Sequence, residues 1–233
     1  MTLPTGSTAV MARRAAGEIA ADDARQALYR QLDYFPTPPW AARAGAELIR
    51  RLDPQAGSVW EPACGEGHMA AALSEYFAVY ASDIHDHGFG DRVDFLSDPA
   101  AARGVDWIVT NPPFKVAPAF IRQALRLAKR GVAMLLRLPF LEGCERYELL
   151  HGASPLTVCA PFAERVPMTL GRWDPAAASA TAYAWFIWIK GAAPMPIIGI
   201  PPGTRDRLWK ADDAARFGWR APAGLLEAME AAR

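Results

Sequence analysis

Thr110-Asn111-Pro112-Pro113-Phe114 follows directly on the apolar run Trp107-Ile108-Val109. An Asn-Pro-Pro-aromatic turn at the end of a buried strand suits the capture of a planar amino group. The two prolines fix φ and remove backbone donors, so the turn is stiff and offers carbonyl oxygens, and the Asn111 side chain adds another acceptor. Phe114 supplies an aromatic face beside them. This is chemistry for an NH2 nucleophile.

A second motif, Trp60-Glu61-Pro62-Ala63-Cys64-Gly65-Glu66-Gly67-His68, reads as a strand end running into a Gly-rich turn and a helix. Glycines there permit a tight turn and close approach of a ligand, and a helix N-terminus presents free N–H groups. Gly65, Gly67 and Ala70 also satisfy the loose dinucleotide pattern. Glu61 and Glu66 oppose that reading, because carboxylates repel a pyrophosphate and suit an ammonium and a sulfonium. Asp83 closes the next strand, where an acid can accept both hydroxyls of a ribose. Val93-Asp94-Phe95-Leu96 adds an acceptor and a ring suited to an adenine. His85-Asp86-His87 lacks a third ligand, and no metal is expected.

Composition limits the rest. The chain has 233 residues, 52% of them hydrophobic, and a net charge of zero. That is enough for one sizeable core. No apolar run approaches a membrane span, and Glu18, Asp22 and Asp23 argue against a targeting peptide, so a cytoplasmic protein is expected. Cys64, Cys144 and Cys159 are odd in number and widely spaced, which indicates reduced thiols. Residues 56–112 hold two basic and nine acidic side chains, whereas residues 113–233 hold sixteen and ten. An acidic pocket beside a basic surface suits a cationic cofactor and a polyanionic substrate.

The elements that must position these residues alternate between strand and helix, the pattern of a mostly parallel sheet covered on both faces. Helices are expected over 13–32, 41–52, 116–129 and 222–231. Strands are expected at 58–60, 78–82, 106–109, 132–136, 156–159 and 181–189, the last being the longest. Residues 1–33 read as a helical extension, and 34–233 as one domain with substrate loops after residue 138, at 139–155 and 165–177. Arg122, Arg126, Lys129 and Arg130 lie at helical spacing and suit phosphate contact.

Glu61-Pro62-Ala63-Cys64-Gly65-Glu66-Gly67, Asp83 and Asn111-Pro112-Pro113-Phe114, in that order and spacing, resemble the class I S-adenosylmethionine-dependent methyltransferases, and within them the adenine-N6 DNA methyltransferases. The resemblance covers about residues 34–140. It implies an α/β, Rossmann-like class I methyltransferase fold with a seven-stranded, mostly parallel sheet and helices on both faces. It also implies S-adenosylmethionine as cofactor, held by Glu61, Pro62, Ala63, Cys64, Gly65 and Gly67 on its methionine part. Asp83 with Ile84 would hold its ribose, and Asp94 and Phe95 its adenine. Phe35-Pro36-Thr37-Pro38 looks like the element that closes over the cofactor carboxylate in such enzymes. Asn111 would face both cofactor and substrate. The target nitrogen's two protons would be accepted by the Asn111 oxygen and the Pro112 carbonyl, with Phe114 stacked on the base.

The turn reports the nucleophile and not its owner. DNA is favoured over RNA, and an RNA base or a protein glutamine are the alternatives, since each presents a planar NH2. A nicotinamide-dependent dehydrogenase, and a silent subunit that only binds nucleic acid or a partner, are the readings from other classes.

Overall fold

Runs such as Trp107-Ile108-Val109 and Val132–Leu136 place apolar residues at consecutive positions, which a strand can hide only when both its faces are covered. The computed structural model describes residue 23 and residues 25–97 and 104–218. There β1 (Ser58–Glu61), β2 (Ala78–Asp83), β3 (Asp91–Arg92), β4 (Trp107–Thr110), β5 (Gly131–Arg137), β6 (Val158–Pro161) and β7 (Tyr183–Ile189) form one seven-stranded sheet in the order β3-β2-β1-β4-β5-β7-β6. The first five strands run parallel, and β7 is antiparallel to both β5 and β6.

Successive side chains divide between two core layers, as the period of two requires. Val59, Trp107, Val109, Ala133, Leu135 and Trp185 face one layer. Trp60, Ile108, Val132, Met134, Leu136 and Phe186 face the other. Helices α2 (Pro39–Leu52), α3 (His68–Leu73) and α6 (Thr204–Leu208) cover the first layer, and α4 (Ala117–Leu127) and α5 (Tyr147–His151) the second. Helix α1 spans 25–32 and α7 spans Asp213–Phe217. At Gly45 a Cβ would stand 2.4 Å from the Trp185 indole, so glycine lets α2 lie directly on β7.

Helix α2 starts earlier than expected because Pro39 is tolerated in a first turn. Helix α4 ends at Leu127, so Lys129 and Arg130 leave the helical face, and Arg130 pairs with Asp53 instead. Strand β7 begins at Tyr183 and equals β5 in length, seven residues each. Strand β6 falls two residues beyond its expected place. Residues 204–217, where no helix or strand is expected, contain α6 and α7, tied to α2 by the buried Arg43 through a bidentate pair with Asp213. The helix expected at 222–231, and residues 13–22 and 24 of the first, lie outside the described residues. No described helix is long and apolar enough to cross a membrane.

The strand order reverses between β1 and β4. In open α/β sheets ligands settle beyond the carboxyl ends of the strands at such a point. Glu61, Asp83 and Thr110 end β1, β2 and β4 there.

Candidate functional site

Beyond those strand ends lies a cavity of about 330 Å3. Its floor includes Glu61, Pro62, Ala63 and Cys64, its sides Asp83, Ile84, Asp94, Phe95, Asn111 and Pro113, and its outer wall residues 31–37 with Phe35 and Thr37. Sequence-predicted residues from five separate segments therefore meet around one space. Pro112, Phe114, Gly65 and Gly67 do not line it.

Asn111 stands at the junction of two walls. Its amide nitrogen donates to the Phe35 carbonyl at 2.9 Å and to Thr37 Oγ1 at 3.1 Å. A carbonyl can only accept, so these bonds orient the amide. The consequence is that Asn111 Oδ1 is buried with no hydrogen-bond partner. Met168, from the expected 165–177 loop, brings its sulfur to 3.8 Å from the same nitrogen.

Glu61 is 2% exposed, and its Oε2 is likewise buried without a partner. Burial first, and the nearby Asp83 charge second, push its carboxyl well above the ordinary range, against a backbone hydrogen bond from Ala70. Asp83 Oδ2 accepts from the Gly65 N–H at 2.9 Å and Oδ1 from the His85 N–H at 3.0 Å. The Asp94 carboxylate accepts from the Leu96 N–H at 3.0 Å and from the Ser97 hydroxyl. Phe95 packs edge-on against Trp60 with ring centroids 5.0 Å apart, so its ring is part core and part cavity wall.

The Gly-rich turn differs from expectation. Its N–H groups are already used: Gly65 donates to Asp83, Glu66 to Tyr34 Oη at 3.2 Å, and Gly67 to the Cys64 carbonyl at 2.9 Å. Gly65 and Gly67 take φ of 51° and 85°. A Cβ on Gly65 would meet the Tyr34 ring at 2.4 Å, and one on Gly67 the Phe89 ring at 2.7 Å. These glycines serve the turn and the close approach of two aromatic rings. Cys64 is buried with its thiol near the Phe89 carbonyl, and burial pushes the thiol up.

Phe114 is half-buried outside the cavity. Phe35 and Tyr183 tilt against it at 5.8 and 6.2 Å, and the Arg137 guanidinium lies over its ring at 4.3 Å. Sequence reasoning missed Arg137, and it missed Asp33, whose Oδ2 accepts the Phe114 N–H at 2.7 Å. It also missed Tyr34, which stacks on His87 at 5.0 Å and closes the outer wall. The Tyr34-Phe35 pair ahead of three prolines was the available signal for that wall.

No protein-family model matches the chain, and no curated protein sequence matches it. Solved structures do. A proposed RNA methyltransferase from Pyrococcus horikoshii aligns with TM-score 0.52 and 15% identity over 68% of this chain and 87% of that one. The methyltransferase subunit of a type I restriction-modification system from Streptococcus thermophilus aligns with TM-score 0.54 and 14% identity over 84% of this chain and 52% of that one. A modification subunit of a proposed type I restriction enzyme from Vibrio vulnificus gives 0.51 and 17%, over 92% and 58% respectively. The chain thus spans somewhat over half the length of the two restriction-type subunits. The fold is the Rossmann-like fold of class I methyltransferases.

Proposed function

We propose that the protein is an S-adenosylmethionine-dependent methyltransferase acting on an exocyclic amino group of a nucleic-acid base, adenine N6 in DNA. One observation carries this reading: Asn111 presents a buried acceptor oxygen without a partner while its amide nitrogen is held by Phe35 and Thr37. A buried unpaired acceptor costs free energy unless a donor arrives. An NH2 group is such a donor.

The cavity fits the cofactor by the same criterion. Glu61 Oε2 is an orphaned buried oxygen in an acidic floor, which suits an ammonium, and Asp83 retains lone pairs for ribose hydroxyls. Bound there, the cofactor supplies an electrophilic sulfonium methyl. The protein's own part is orientation. Asn111 Oδ1 and the Pro112 carbonyl would accept hydrogen bonds from the two amino N–H groups, which would favour a pyramidal nitrogen whose lone pair is no longer delocalised into the ring. Phe114 gives the base its stacking surface. A duplex substrate needs the base extruded, at a cost of a few kcal/mol that stacking offsets in part.

Against a nicotinamide dehydrogenase stand two features. The dinucleotide-binding sheet runs 3-2-1-4-5-6, all parallel, whereas here β7 inserts antiparallel between β5 and β6. The turn N–H groups that would cradle a pyrophosphate are bonded within the protein. The basic excess after residue 113 supports a polyanionic substrate, and Met168 beside Asn111 supports substrate recognition by the loops after residue 138.

Transfer of labelled methyl to duplex DNA, single-stranded DNA, total RNA and protein extract, followed by nucleoside analysis, tests the proposal. N6-methyladenine from DNA is the expected product. Label confined to RNA or to protein overturns the substrate, and absence of S-adenosylmethionine binding overturns the enzyme class.

A further inference from the structure

Arg137 closes β5 and is exposed, with its guanidinium carbon 4.3 Å from the centroid of the Phe114 ring and 5.7 Å from that of Phe35. It counters the rise that burial gives the pKa of the Tyr183 phenol. Among the described residues no carboxylate forms an ion pair with it. A planar cation with no neutralising acid thus lies over the aromatic face on which a base held by Asn111 must stack.

We propose that Arg137 is a substrate-positioning residue that fills the base slot of the free enzyme and moves onto a backbone phosphate when the base enters. This rests on the nucleobase reading above. Stacking of a base on an aromatic ring is worth more than an exposed cation–π contact, so the base displaces the guanidinium. The displaced group has no carboxylate partner among the described residues to return to, and its fork matches two phosphate oxygens. Entry of the base and capture of the phosphate are then one exchange. A nucleoside must evict Arg137 with no phosphate to receive it, so the residue selects polymer over free nucleoside.

The test uses 2-aminopurine fluorescence on protein saturated with the demethylated cofactor S-adenosylhomocysteine, with the probe offered as a nucleoside and within a short single-stranded oligonucleotide, to wild type, Arg137→Ala and Arg137→Lys. Arg137→Ala is expected to bind the nucleoside roughly two- to fivefold tighter. The same variant is expected to bind the oligonucleotide more weakly, with a salt slope shallower by about 0.7. Arg137→Lys should restore the slope, since an ammonium also contacts phosphate. Affinities that move in the same direction for both probes, or for neither, overturn the proposal. Failure of the nucleobase reading has a separate signature: wild type binds neither probe and Phe114→Ala changes nothing, which overturns both.

Discussion

The backbone N–H of Phe114 donates to Asp33 Oδ2 at 2.7 Å, so a carboxylate from ahead of the sheet holds the turn that follows its fourth strand. Asp33 adopts φ of 56°, a left-handed conformation that few residues other than glycine accept. Its surroundings must hold it there. A charge-assisted hydrogen bond of this kind contributes about 1.5–3 kcal/mol. Asp33→Ala should therefore lower kcat/KM roughly ten- to hundredfold while cofactor affinity changes little. Steady-state kinetics beside calorimetric titration of the cofactor separates the two; an equal loss in both would make Asp33 a cofactor residue.

Asn111→Ala removes the unpartnered acceptor together with both bonds to residues 35–37. Loss of one preorganised group of this type costs about 10^2–10^3 in turnover. Single-turnover rates with saturating cofactor measure it. Retention of most of the rate would move the chemistry elsewhere.

Glu61 contributes a pH dependence. Its carboxyl is raised in the folded protein, so its stabilising share is complete below the unfolded value and is lost as pH rises through the folded one. At neutral pH the free protein bears this cost. Glu61→Gln should raise the melting midpoint, by about 2–4 °C for each kcal/mol relieved, and weaken S-adenosylmethionine binding. A cation beside Glu61 favours the carboxylate, so binding releases a proton and affinity rises with pH up to the raised value. Titration calorimetry in two buffers of different ionisation enthalpy detects the proton; identical heats would exclude it.

Asp53 acts in the opposite sense. Hydrogen bonds from Arg130, foremost, and from the Trp107 indole bring its carboxyl down to about 2 against the effect of burial. That contribution is present above the unfolded value of about 3.9 and is lost as pH falls through the folded one. Asp53→Asn should melt below wild type at pH 6, with the gap closing between about pH 4 and pH 2. A gap constant across that window would assign the loss to Trp107 packing instead.

Most strand positions were legible because their signals are local, as was the gathering of the motif residues at strand ends. Apolar runs such as 107–109 and 132–136 name buried strands, and Glu61, Asp83 and Asn111 each stand at or just past the end of one. Residues 204–217 form two helices of five residues each, too short for a helical period to show. Asp33 and Arg137 escaped for another reason. Asp33 meets Phe114 across 81 positions of sequence, and nothing near either residue marks the other. The Gly-rich turn misled in part, since glycine spacing cannot reveal that Tyr34 and Asp83 consume its donors.

Residues 31–37 form the outer wall of the cavity, and the same segment holds the amide of Asn111 and, through Asp33, the backbone of Phe114. In kinetic terms this couples two binding events. On the proposed methyltransferase reading, a wall that opened to admit the methyl donor would release the amide, and closing it behind the donor would aim the acceptor oxygen again. Donor-first, ordered addition is then expected. The demethylated product would compete with the donor and not with the methyl acceptor, and a base would be gripped only by the loaded enzyme.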